Sequence, residues 1–216
     1  MDKSVAKRPE HQAVYHQIRA MILFGVLLPG QAVTIQGLVD LIGGGMTPVR
    51  EAIRRLSAEG ALEIGGNRRV TVPIMTRKTL DEIGFARLAI EPRLSELAAR
   101  RMSDKCLSDL VALDQEIDRA IASGNVERYL EYNYRFHFSL YEQADAPVLS
   151  KLSQSLWLQS GPALRIVCGR FGTANLPDKH DEALTALREG DPARAAQAIG
   201  DDIRQGIGQV RLTLSD

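Results

Sequence analysis

The sequence predicts a mainly α-helical protein of two domains, the first small, basic and closed by a β-hairpin, the second an all-helical bundle. Three observations predict it. Apolar residues recur at helical spacing through most of the 216 residues. The clearest strand-like stretch, residues 62–72, lies in the first third of the chain. Charge divides at Arg77: the chain is neutral as a whole, but residues 1–77 carry net +4 and the remainder −4. We therefore expect domains at 1–77 and 78–216, the basic one suited to phosphate.

In the first domain, Val14, Ile18, Met21 and Ile22 set a helix from His11 to Phe24, ended by Gly25 and Pro29-Gly30. Thr34 caps a second short helix through Ile42, with Leu38, Leu41 and Ile42 predicted to face inward, before Gly43-Gly44-Gly45. A third helix runs from about Thr47-Pro48 to Glu59, buries Ala52, Ile53 and Leu56, and leaves Arg50 and Arg54 on a shared outer face. Leu62–Ile64 and Arg69–Val72 read as strands around the turn Gly65-Gly66-Asn67-Arg68. Two helices across a glycine turn, a basic-faced helix and a basic-tipped hairpin make the layout of a winged helix-turn-helix. Such a module binds double-stranded DNA, with the third helix in the major groove and Arg68 and Arg69 of the wing against phosphate or the minor groove.

In the second domain, Thr79-x-x-Glu82 reads as a capping box opening a long helix whose seam is Leu80, Ile83, Arg87, Ile90, Leu94 and Leu97. An arginine in such a seam needs a partner, and Glu91 stands four residues on. Helices follow at about Ser103–Ser123, Val126–Gln143 and 147–168, the last bent or interrupted near Gly161-Pro162. Two more begin after Pro177-Asp178 and Asp191-Pro192. Asn133 and His137, His180, and Asp202 fall on inward faces of three of these helices. If the faces meet, they and Arg87 form one polar cluster able to bind a ligand or a divalent ion, or to pair internally.

Composition bounds the rest. Hydrophobic residues at 44% and charged residues at 25% suit a globular protein, and no apolar run is long enough to span a membrane. The polar start leads into no signal core, so a cytoplasmic site is expected, and Cys106 and Cys168 are expected as reduced thiols in helices.

The segments LLPGQ, LVDLIG and TPVREAIRRLSAEGAL resemble the DNA-binding module of the GntR family. The resemblance implies that Thr47 and Arg50 contact DNA. Met46 and Gln36 stand where that family usually has arginines, which removes a phosphate or guanine contact at each. RLAIEPRLSELAAR, NYRFHFSLYEQA and KHDEALTALREGDPARAAQAI resemble the FCD effector domain of the FadR subfamily. That resemblance implies a divalent metal (Zn, Ni or Mn) holding a small organic acid, with Arg87 as a pocket arginine that grips a carboxylate. His137 and His180 match the metal-binding pattern, whereas Asn133 replaces an aspartate and Asp202 replaces the last histidine. An amide oxygen is a weak ligand for Zn²⁺ or Ni²⁺.

The reading that follows is a ligand-responsive regulator, a repressor, acting as a homodimer on a palindromic operator. A regulator that has lost its metal and senses an organic ligand directly is a variant of it. The other reading is a metal-dependent enzyme built on His137 and His180. It lacks a nucleophile with an adjacent base, a phosphate-binding glycine loop and a catalytic motif, and it leaves the basic module without a use.

Overall fold

A computed structural model describes residues 10–66, 69–170 and 178–214, with the side chains of Glu10 and of 166–170 left out. Among the described residues the order is α1 (Glu10–Leu23), β1 (Ala32–Val33), α2 (Ile35–Ile42), α3 (Met46–Ala58), β2 (Glu63–Ile64), β3 (Val70–Thr71), α4 (Arg77–Ala99), α5 (Asp104–Ala122), α6 (Val126–Glu142), α7 (Pro147–Arg170), α8 (Lys179–Arg188) and α9 (Pro192–Thr213). The fold is mainly helical, with a winged helix-turn-helix followed by a helical bundle. No helix among the described residues is long and apolar enough to cross a membrane.

The first module forms as its punctuation dictates. Thr34 caps α2 by accepting from the Gly37 amide at 3.0 Å, and Gly43 ends it in the left-handed conformation at φ 66°. The core is α1 against α3, where Val14, Ile18 and Ile22 meet Val49, Ala52, Ile53 and Leu56. Beside it Tyr15 donates to Glu59 at 2.7 Å, and the Arg55 guanidinium lies 3.6 Å over the Tyr15 ring, so the end of α3 is fixed to α1. Burial, reinforced by Glu59, holds the Tyr15 phenol up at about 12.

Two expectations for this module change. Leu41 is 61% exposed, and in α2 only Leu38 is fully enclosed, because an eight-residue helix offers α1 and α3 a narrow face. The sheet also has a third strand. β1 pairs antiparallel with β3 (Ala32↔Thr71, Val33↔Val70), and β2 pairs on the other side of β3. Two residues are too short to show alternation, so β1 left no periodic signal. The tip residues Asn67 and Arg68 lie outside the described residues, and the Gly65 amide bonds the Arg69 carbonyl just inside them.

In the bundle, α4 packs chiefly on α9, and α5 on α6. Thr76 caps α4, accepting from the Thr79 amide at 3.1 Å, so the helix starts at Arg77 and Thr79 lies within its first turn instead of capping it. The buried stripe is Leu80, Ile83, Arg87, Glu91, Leu94 and Ala98, with Ile90 and Leu97 at its edge. The stripe follows the helical period through two charged residues, which an apolar template skips. α7 is unbroken through Pro162. Cys106 is a free thiol in α5, 3.3 Å from the Gln143 amide oxygen, and the Cys168 side chain lies outside the described residues.

Candidate functional site

On the first module, Thr47, Arg50 and Arg54 of α3, with Met46 at its first turn, are exposed, as are Gln36 on α2 and Arg69 at the wing. Arg54 pairs with Glu51 at 3.0 Å and Gln36 donates to Asp40 at 2.8 Å, both in the open where such contacts exchange readily for DNA groups. Arg50 stands one turn from Arg54 on the same outer face. Arg68 lies outside the described residues.

In the bundle, α6 carries Asn133 and His137, α8 carries His180 and α9 carries Asp202, and their inward faces meet. His137 Nε2 lies 3.3 Å from His180 Nε2 and 3.2 Å from Asp202 Oδ2, and His180 Nε2 is 3.8 Å from Asp202 Oδ1. Asn133 is buried one turn ahead of His137 on the same helix.

The outer nitrogen of each ring fixes what the inner one presents. His180 Nδ1 is 3.2 Å from the Asp114 carboxylate, which accepts its proton. His137 Nδ1 is 3.1 Å from the Tyr141 hydroxyl, whose single proton goes to Glu91 Oε2 at 2.9 Å; the Tyr141 oxygen therefore accepts from His137. Phe136 stacks on His180, centroids 4.2 Å apart, and holds that ring's plane. Two imidazole lone pairs and a carboxylate thus converge, an arrangement that needs a positive charge at its centre.

Titration follows from this crowding. Burial lowers His137 in spite of Asp202, while at His180 the Asp114 and Asp202 carboxylates outweigh burial and raise it. Burial works against the Asp202 charge, yet the hydrogen bond and charge of His137, with His180 and Arg87, bring it down to about 2.

The donor set fits a divalent ion. The described His137, His180 and Asp202 each offer one donor atom, all within 4.8 Å of one another. With bonds of the usual 2.0–2.1 Å, a tetrahedral ion sets its donors about 3.3 Å apart, close to the 3.3 and 3.2 Å at His137, while His180 Nε2 and Asp202 Oδ1 at 3.8 Å would have to draw together. Two imidazoles and one carboxylate suit Zn²⁺, Ni²⁺ or Mn²⁺ and leave positions open for another ligand.

Behind the triad lies a second polar centre. Glu91 is wholly buried and accepts from Arg87 Nε at 2.8 Å, Arg87 Nη2 at 3.0 Å, Tyr141, Ser153 at 3.0 Å and Trp157 at 2.9 Å. Arg87 also lies 4.3 Å over the Trp157 ring. Burial opposes its charge, but Glu91 raises its pKa, and Asp202 contributes in the same direction from the triad side. The Arg87–Glu91 pairing follows from their spacing in sequence. The roles of Tyr141, Trp157, Ser153 and Asp114 do not, although Tyr141 shares the stripe of His137 four residues on.

Comparison with known proteins agrees with this layout. Residues 10–72 match the gntR family of bacterial regulatory proteins, and residues 82–205 match the FCD domain. The transcriptional regulator McbR of Escherichia coli K12 is 26% identical over 197 residues, spanning 90% of this chain and 89% of that protein. The E. coli repressor GlaR is 26% identical over 194 residues, 86% of this chain and 88% of that one. The solved E. coli McbR/YncC superposes with a TM-score of 0.89 at 25% identity, covering 96% of this chain and 99% of that one. A GntR protein from Rhodococcus sp. RHA1, at 19% identity and a TM-score of 0.79, shares the fold over 95% of this chain and 99% of its own. With a basic outward-facing helix ahead of a helical bundle closed on a polar cluster, and with both halves matched, the chain belongs to the gntR family of DNA-binding transcriptional regulators, in the branch that carries an FCD domain.

Proposed function

We propose that this regulator is a repressor that binds operator DNA as a homodimer and changes its grip when a small organic acid enters the bundle. Residues 1–77 serve as the DNA-binding unit and 78–216 as the effector and dimerisation unit, in the cytoplasm. Arg50, Arg54 and Thr47, supported by Gln36, Met46 and the wing residues Arg68 and Arg69, take the duplex. Repression is taken from the likeness to GlaR. Dimerisation follows from the few base pairs that one module can read.

The observation that carries the effector reading is the convergence of His137 Nε2, His180 Nε2 and Asp202, each imidazole oriented from behind by an oxygen partner. His137, His180 and Asp202 would hold a divalent ion, with Asn133 as a further oxygen donor. Bound there, the ion supplies the Lewis-acidic charge that takes a carboxylate oxygen. Asp114 and Tyr141 keep both rings in the tautomer that presents Nε2. Arg87 spends its Nε–Nη2 edge on Glu91, which leaves Nη1 as the donor for an anion.

The test is a mobility shift with the purified protein and the upstream region of its own gene, at moderate salt, together with elemental analysis. Specific retardation lost in Arg50→Ala, and near-stoichiometric metal lost in His137→Ala, support the reading. No specific retardation refutes the regulatory part. Retardation with no metal retained leaves a regulator that senses its ligand without an ion.

A further inference from the structure

Ser153, Trp157 and Gly161 of α7 follow at four-residue intervals and share one face of the helix. The first two donate to Glu91. The third lies against the end of α1, so close that a Cβ at Gly161 would stand 2.6 Å from the Leu23 carbonyl oxygen. Two more glycines of the first module face α7 through side chains: a Cβ at Gly60 would stand 3.2 Å from Gln159, and one at Gly25 would overlap Arg165. At Gly161 the missing side chain lets the two units touch backbone to backbone, with nothing that could rotate out of the way. A parallel contact runs through aromatic rings, Trp157 to Tyr134 at 5.7 Å and Tyr134 to Phe24 at 6.0 Å.

At the pocket end, Glu91 is joined to the triad by a chain of hydrogen bonds, from His137 Nδ1 to Tyr141 and from Tyr141 to Glu91. Glu91 already takes five hydrogen bonds, more than a carboxylate's roughly four lone-pair sites accommodate ideally. A change in charge or hydrogen bonding at His137 or Arg87 therefore shifts the balance among its donors, and two of those donors are α7 side chains.

We infer that α7 carries the state of the pocket to the DNA-binding module, with Glu91 as the junction at one end and the Gly161–Leu23 contact as the bearing at the other. This rests on the reading of the pocket as the effector site. Packed elements of this kind have few intermediate arrangements, so a small displacement of Ser153 and Trp157 moves the end of α1 instead of dissipating.

The test needs no effector. Backbone hydrogen exchange over residues 10–24 of the full chain is compared in four proteins: wild type, Asp202→Asn, Ser153→Ala/Trp157→Phe, and the combination. Glu91 itself is left in place because removing it strands Arg87. Asp202→Asn should change exchange in that segment by about fivefold or more, within the usual range of coupling between sites. In the Ser153→Ala/Trp157→Phe background the same substitution should change it less than about twofold, near the additivity limit for uncoupled sites. An unchanged effect in that background, or no effect of Asp202→Asn at residues 10–24 in the wild type, overturns the proposal. Titration with Ni²⁺ alone, followed by calorimetry, is run on the same proteins. If Ni²⁺ does not bind, the metal reading fails while the exchange cycle still decides the relay; if the cycle is additive, the relay fails and the metal reading stands.

Discussion

Replacing Glu91 by alanine is the most severe single change the bundle offers away from its apolar core. The substitution leaves a guanidinium with 7% of its side-chain surface exposed and no counter-charge. Breaking a buried pair from one side costs about 3–5 kcal/mol. Tyr141, Ser153 and Trp157 lose their acceptor as well, each a further ~1 kcal/mol at the low end for a buried donor, partly recovered if water enters the space. The loss is then about 5 kcal/mol, and for a chain of this size the midpoint falls on the order of 10–20 °C. Calorimetry at fixed protein concentration measures it, with Arg93→Ala, which removes an exposed pair with Glu96, as the control that should leave the transition in place. Removing both charges in Arg87→Met/Glu91→Met should recover much of the loss, because no buried ion is left alone. A Glu91→Ala midpoint no lower than that of Arg93→Ala would refute the reasoning.

Arg50→Ala should cut operator affinity by about 1–3 kcal/mol if the side chain reads a base, or lower the salt slope by about one if it contacts phosphate, with the circular dichroism spectrum unchanged. Metal affinity, followed by calorimetry with Ni²⁺, should rise with pH up to the raised pKa of His180 and flatten above it, since ion and proton compete for the same nitrogen; a pH-independent affinity speaks against His180 as a ligand. Asp202 is held at about 2 against an ordinary 3.8, so its contribution is complete above pH 4 and is lost as pH falls through that interval. That amounts to about 2 kcal/mol. Urea unfolding should therefore show the wild type losing stability between pH 4 and 2 faster than Asp202→Asn, and parallel curves would contradict it. Gly161→Ala should lower stability and weaken specific DNA binding while sparing Ni²⁺ binding, because its Cβ meets a backbone atom that cannot rotate aside.

The helix-turn-helix was legible because its limits are chemical marks: Thr34, the glycine turn and the proline in the first turn of α3. The strand β1 was not, because it consists of two residues that acquire meaning only from pairing with Val70 and Thr71. In the bundle, the polar positions on apolar stripes led to His137, His180, Asp202 and Arg87, since a polar residue at a core position stands out against its helical period. Glu91 could be paired with Arg87 by spacing alone. Its links to Ser153 and Trp157, 62 and 66 residues away, depend on how α7 crosses α4, and no local pattern encodes that crossing. The start of α4 was misplaced for a similar reason: both Thr76 and Thr79 are plausible caps by residue type, and only the hydrogen bond from the Thr79 amide chooses between them.

The three inner donors differ in their access to solvent. His137 has none of its side chain at the surface and His180 9%, but Asp202 keeps 24%. Asp202 is thus the donor of the three that stands nearest to solvent. A carboxylate at that edge would draw cations from dilute solution, so an ion held there would be replaced less often than a small acid beside it. Over the lifetime of one response the ion would act as part of the protein, and the organic molecule would be the variable that the gene reads.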